Sequence, residues 1–195
     1  MVMTTLLGCG GAPEIANRRS QGTAIICFGD SLTYGHGASG GRDYPSRLAA
    51  ALGRDVINAG VNGDTTRDAL QRLEPDVLSR NPRLVIVTLG GNDFLRQMPM
   101  HETFANLDDI VRRIQARGAM VVLVGVPSAV FGNPAQGEYE RIARARHALL
   151  LPDLLDDILG DPHLKSDGLH PNDAGYQLMA DRVVQAVQPL LEDAR

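Results

Sequence analysis

Tryptophan is absent from this 195-residue sequence, and aromatics as a whole make up 4% of it. An aromatic-lined sugar cleft and a base-stacking platform are therefore both poor fits. Cysteine is scarce as well: Cys9 and Cys27 are too few for a disulfide scaffold or a cysteine-rich zinc site. No stretch approaches the roughly 18 consecutive apolar residues of a membrane-spanning helix. Positive charge is not in excess, since Lys plus Arg is 19 against Asp plus Glu 23, a net charge of −4. A nucleic-acid partner, which calls for a basic surface, is not expected.

What remains is ordinary for a folded globular chain: 44% hydrophobic and 22% charged residues. The length corresponds to about one domain. Glycine (21) and proline (11) run above average, which suits a fold with many tight strand-to-helix loops.

Apolar, β-branched runs mark strands at residues 23–28 (TAIICF), 55–58, 83–89 (RLVIVTL) and 119–126 (AMVVLVGV), with a short fifth within 150–155. Runs apolar throughout belong to strands buried on both faces. Helical spacing predicts helices at 43–52, from Thr65 or Thr66 to about 80, 102–117, 136–149 and 172–190. Pro75 is expected to bend or split the second of these. The arginines Arg141, Arg144 and Arg146 read as a salt-bridged solvated face, because Glu138 and Glu140 stand three and four residues ahead. Five alternations of strand and helix predict an α/β fold with a parallel sheet covered on both faces. Ligands in such sheets bind beyond the carboxyl ends of the strands. The loops 29–42, 59–64, 90–101, 127–135 and 156–170 should share that rim.

Four of these loops carry chemistry. Gly29-Asp30-Ser31-Leu32 follows the first strand and can present a serine hydroxyl on a tight turn. Asn58-Ala59-Gly60-Val61-Asn62-Gly63-Asp64 offers glycines at which a main-chain N–H can approach a ligand closely. Gly90-Gly91-Asn92-Asp93 places a side-chain amide on the rim, with Asp93 suited to bracing the loop. In Asp167-Gly168-Leu169-His170, a carboxylate three residues before an imidazole can hydrogen-bond it and fix its tautomer. His36 shares the Ser31 loop but has no carboxylate at that spacing. His163, Asp167 and His170 form an alternative metal-ligand set, without a companion motif such as HExxH. Gly35–Gly40 spells GxGxxG, yet starts too far from its strand and runs into no helix, so a dinucleotide site is not expected.

The ordered set Ser, Gly, Asn, Asp-x-x-His resembles the SGNH hydrolases, also called the GDSL esterase/lipase family, over residues 23–190. FGDSLTYGHGA, NGDTT, LGGNDFLR and DGLHPNDAGY are most similar to its bacterial arylesterase, acyl-CoA thioesterase and lysophospholipase members. The resemblance implies a three-layer α/β/α sandwich with five parallel strands, flavodoxin-like. It also implies a serine esterase acting on small-molecule esters or thioesters, with no cofactor or metal. Ser31 matches the nucleophile and one oxyanion donor, Gly63 and Asn92 the other two donors, and Asp167 and His170 the acid and base. Gly60 fits only a looser form of the glycine motif. The alternatives are an acyltransferase using the same residues and a non-catalytic ligand-binding protein on the same sheet. Phe94, Leu95, Met98, Met100, Val130 and Phe131 are candidates for an apolar acyl slot.

Residues 1–22 read as a leader or linker ahead of a single domain at 23–195. Leu6-Leu7-Gly8-Cys9 resembles a bacterial lipobox, so a lipid anchor at Cys9 and a periplasmic or membrane-anchored location are expected; a cytoplasmic one is the alternative.

Overall fold

Isoleucine, valine and leucine occupy most strand positions, and they build one wholly parallel sheet. The computed structural model describes residues 14–125, 133–152 and 154–192. The strands are β1 (Ala24–Gly29), β2 (Val56–Gly60), β3 (Pro82–Thr88), β4 (Met120–Val124) and β5 (Leu149–Leu151), in the order β2-β1-β3-β4-β5. Successive side chains of a strand point to opposite faces, so each central strand feeds two cores. Ile26, Phe28, Val85, Val87, Val121 and Leu123 face one side, where α3 (Thr66–Asp76), α5 (Met100–Ala116) and α6 (Asn133–Arg146) cover them. Ile25, Cys27, Leu84, Ile86, Met120 and Val122 face the other, covered by α2 (Tyr44–Leu52) and α7 (Asp173–Glu192). This is the expected three-layer α/β/α sandwich. Among the described residues no helix is long and apolar enough to cross a membrane.

Strand order reverses between β1 and β3, because the chain steps from β1 out to β2 and then returns to β1's other edge. Such a switch point opens a crevice at the carboxyl ends of the two strands. The Ser31 and Asn92 loops leave from those two ends.

Several boundaries differ from the sequence expectation. The loops at 29–42 and 90–101 each contain a short helix, α1 (Ser31–Tyr34) and α4 (Gly91–Leu95). Four or five residues are too few to show helical periodicity. The helix expected to reach 80 stops at Asp76, one residue past Pro75, and a 3-10 turn at Leu78–Arg80 follows. The helix expected at 136–149 spans Asn133–Arg146 instead; His147 takes a left-handed φ of 49°, and Leu149 already pairs with Val122. Packing also extends upstream of Thr23. Ile15 is buried with the second cluster, and the Asn17 amide donates to the carbonyls of Gln115 and Ala119, both at 2.9 Å.

One buried carboxylate ties the site-bearing elements together. Asp93, on α4, accepts from the Thr66 amide at 2.9 Å, the Thr66 hydroxyl at 2.5 Å and the Thr103 hydroxyl at 3.2 Å. The first turns of α3, α4 and α5 thus converge on one fully buried side chain. Removing it strands several buried donors at about 1–3 kcal/mol each. Asp93→Ala is expected to destabilise the fold by about 3 kcal/mol, lowering Tm by roughly 6–12 °C in a thermal melt followed by circular dichroism. An unchanged Tm would show that Asp93 is not the brace.

Candidate active site

Ser31 is the first residue of α1, which starts directly after β1 and a single connecting residue, Asp30. The turn is tight because Asp30 caps the helix, its Oδ1 accepting the Leu32 amide at 3.1 Å. The end of β2 must approach closely for α1 to fit there. A Cβ on Gly60 would lie 2.1 Å from the Tyr34 nitrogen, so that glycine serves the packing of α1. Gly63, three residues on, has a left-handed φ of 79°, and its carbonyl accepts from Arg96 Nη2 at 2.6 Å.

The opposite wall comes from the loop before α7. Asp167 Oδ1 accepts the Leu169 and His170 amides, both at 2.8 Å, which folds Asp-Gly-Leu-His into a tight turn. Ser166 N donates to the His170 carbonyl at 2.9 Å and closes it. Asn172 then caps the helix end, accepting the Ala174 and Gly175 amides. The turn leaves Asp167 Oδ2 2.8 Å from His170 Nδ1 and carries His170 Nε2 to 3.0 Å from Ser31 Oγ. The sequence-predicted Ser31, His170 and Asp167 therefore form one continuous hydrogen-bonded line.

The direction of that line follows from Asp167. The Leu169 amide, the His170 ring and the His170 amide hold its carboxyl well below the usual carboxylate range. An ionised carboxylate only accepts hydrogen bonds, so the His170 proton sits on Nδ1. Nε2 is left as the acceptor facing the Ser31 hydroxyl.

Asn92, on α4, links the other two loops. Its Nδ2 donates to the Asp64 carbonyl at 3.0 Å and to Asp30 Oδ2 at 3.3 Å. The amide thus bridges the residue after Gly63 and the residue before Ser31. It lies on a short helix rather than in the loop expected there.

Three residues were given no role by the sequence reading. Arg72, on α3, donates to Asp64 Oδ2 at 2.5 Å and to the carbonyls of Ala59 and Gly29, each at 2.9 Å, with its guanidinium 4.5 Å from the Phe28 ring centroid. It clamps the ends of β1 and β2 together. An arginine directly beside Leu73, on the buried face of a helix, was the signal available. Asp30 is the second: burial pushes its carboxyl up to about 7 despite the Leu32 hydrogen bond and the nearby His170. His36 is the third. The fold supplies the carboxylate partner its spacing lacked, since His36 Nε2 stands 3.8 Å from Asp167 Oδ2 and its ring lies 4.3 Å from that of His170. Among the described residues, the grouping of metal-ligand type contains His36, Asp167 and His170; His163 is not part of it.

A serine, an imidazole and a carboxylate hydrogen-bonded in line at the carboxyl end of a parallel sheet is the arrangement that serine hydrolases use. The sequence matches the GDSL-like lipase/acylhydrolase family model over residues 27–178, and the chain belongs to that family. It is 32% identical over 172 residues to an arylesterase of Vibrio mimicus, covering 83% of this chain and 86% of that one. It is 28% identical over 182 residues to the thioesterase 1/protease 1/lysophospholipase L1 of Escherichia coli K12, covering 89% and 88%. The psychrotrophic esterase EstA from Pseudoalteromonas sp., solved inhibited by monoethylphosphonate, superposes with a TM-score of 0.77 at 27% identity, covering 87% of this chain and 98% of that one.

Asp30 yields a prediction whose sign is fixed. Its folded pKa, about 7, lies above the ordinary carboxylate value. The folded state therefore holds this proton more tightly than the unfolded chain does. That contribution is complete below about pH 4 and is lost as pH rises through about 7. Asp30→Asn cannot ionise. Its Tm relative to wild type is expected to rise between about pH 5 and pH 8 in paired melts; a Tm difference constant with pH would contradict the buried-carboxyl account.

Proposed function

We propose that the protein is a serine esterase that hydrolyses carboxylic esters or thioesters through an acyl-enzyme on Ser31. The observation that carries this reading is the Ser31–His170–Asp167 line, at 3.0 and 2.8 Å. His170 Nε2 takes the Ser31 proton as Oγ attacks the substrate carbonyl. The resulting imidazolium is stabilised by the ionised Asp167. When the tetrahedral intermediate collapses, the imidazolium returns the proton to the leaving alcohol or thiol. Water then repeats the sequence on the acyl-enzyme, with His170 as base, and releases the acid.

The backbone N–H groups of Ser31 and Gly63 and the Asn92 amide are the proposed oxyanion donors. Asn92 has two amide hydrogens. One is committed to the Asp64 carbonyl at 3.0 Å and fixes the plane of the group. The other makes the longer 3.3 Å contact with Asp30, and this is the hydrogen the oxyanion takes. A neutral Asp30 competes less for it than a carboxylate does, and its elevated pKa favours the neutral form.

The substrate class is read from the rim. Tyr34, Val61, Leu95 and Leu169 are large apolar side chains left exposed, and each lies within three residues of Ser31, Gly63, Asn92 or His170. Exposed apolar side chains so near the site residues in the chain are suited to meeting an aryl or acyl group of the substrate. Of the other side chains expected to line an acyl slot, Phe94 packs instead against the core, with its ring 6.0 Å from Phe104. Val130 and Phe131 lie outside the described residues. Export and a lipid anchor at Cys9 belong to the same reading; their support is the Leu6–Cys9 sequence, which also lies outside the described residues.

A chromogenic acetyl or butyryl ester assay tests the proposal. Wild type is expected to turn over and Ser31→Ala to be inactive. Asn92→Ala is expected to lose about 10²–10³ in kcat, with KM little changed, because its bond strengthens only as charge develops. A folded Asn92→Ala with near-normal kcat would remove Asn92 from the oxyanion site.

A further inference from the structure

The acyl-transfer cycle has no step for His36, yet the fold holds this imidazole against the catalytic pair. The His36 carbonyl accepts the Tyr176 hydroxyl at 2.8 Å. Gly37 lies so close to Ser166 that a Cβ there would sit 2.0 Å from its Oγ. The Ser39 amide donates to Asp173 at 2.7 Å. These contacts stitch the loop after α1 to the start of α7 and set the His36 ring beside His170. One nitrogen of each imidazole and one Asp167 oxygen lie within 4.8 Å of one another. The His36 and Asp167 side chains are 49% and 46% exposed, so the group opens to solvent.

Resting on the triad reading above, we propose that His36, Asp167 and His170 form a binding site for a borderline divalent transition-metal ion, with Zn²⁺ the best match, and that the bound ion reversibly switches the enzyme off. Two imidazole nitrogens and one carboxylate oxygen are a donor set for Zn²⁺, Ni²⁺ or Cu²⁺; Mg²⁺ and Ca²⁺ favour all-oxygen shells. Zinc bonds of about 2.0–2.2 Å place neighbouring tetrahedral ligands roughly 3.3–3.6 Å apart. The 3.8 Å between His36 Nε2 and Asp167 Oδ2 needs only a small closure by two exposed side chains. Solvent completes the fourth position.

Inhibition follows from the proton inventory of His170. A neutral imidazole carries one proton and one free lone pair. Coordinated through Nε2, it spends on the metal the lone pair that faces Ser31. Coordinated through Nδ1, its proton moves to Nε2, which then cannot accept the Ser31 proton. Either way the base is occupied while the ion stays, and coordination through Nδ1 also replaces the 2.8 Å bond between His170 and Asp167.

The test pairs calorimetric titration of ZnCl₂ into chelator-stripped protein with initial ester-hydrolysis rates. One ion per chain is expected, with at least a tenfold loss of kcat/KM at saturation and full recovery on adding EDTA, while MgCl₂ has no effect. His36→Ala is expected to weaken Zn²⁺ binding and raise the half-inhibitory concentration at least tenfold. Each variant is read as its own ratio with and without metal, so a changed basal rate cancels. His163→Ala should behave as wild type. Zn²⁺ sensitivity unchanged in His36→Ala, or lost in His163→Ala, would overturn the proposal. If no ester were hydrolysed, the esterase reading would fail by itself, and the binding isotherm with its dependence on His36 would still decide the metal site.

Discussion

The 3.0 Å contact between His170 and Ser31 joins positions 139 residues apart, and the surrounding structure is organised to hold it. Ser31 is fixed from below by β1, from its own side by the Asp30 cap, and from behind by the close approach of Gly60. His170 is fixed by a turn that spends both Asp167 oxygens, one on two backbone amides and one on the ring. The sheet supplies the common reference for these parts. Its strand order opens a crevice between β1 and β3, and Arg72 clamps the ends of β1 and β2 together on one flank of that crevice.

Two carboxyl groups near the serine have pKa values shifted in opposite directions, and burial separates them. Asp167 is half exposed and receives three hydrogen bonds from donors, so its charged form is favoured. Asp30 is buried at the floor of the site, where desolvation outweighs its single capping bond and keeps a proton available near neutrality. In the proposed cycle the ionised group would stabilise the imidazolium, and the neutral-leaning group, in contact with Asn92, would spare the proposed oxyanion side a full negative charge.

The sequence displayed the central strands plainly, because strands buried on both faces are written as unbroken apolar runs. It displayed the Asp167–His170 pair as well, since the Asp-x-x-His spacing encodes a local turn; that Ser31 meets them was implied only by the family resemblance. Boundaries were less legible where short elements lack a period, as at α1 and α4, or where one residue in a left-handed conformation ends a helix, as at His147. Arg72, Asp30 and His36 stayed hidden for a different reason. Their partners are distant in the chain, so no spacing could show Arg72 reaching Gly29, Asp30 reaching Asn92 or His36 meeting Asp167.

The central claim is that Ser31 is a nucleophile activated by His170, and a covalent probe tests it most directly. The protein is treated with a fluorophosphonate, weighed intact, then digested and mapped by mass spectrometry. The account predicts one adduct per chain, carried on Ser31, absent in Ser31→Ala and formed far more slowly in His170→Ala. Labelling that persists in folded Ser31→Ala, or that reaches Ser31 equally fast without His170, would contradict it.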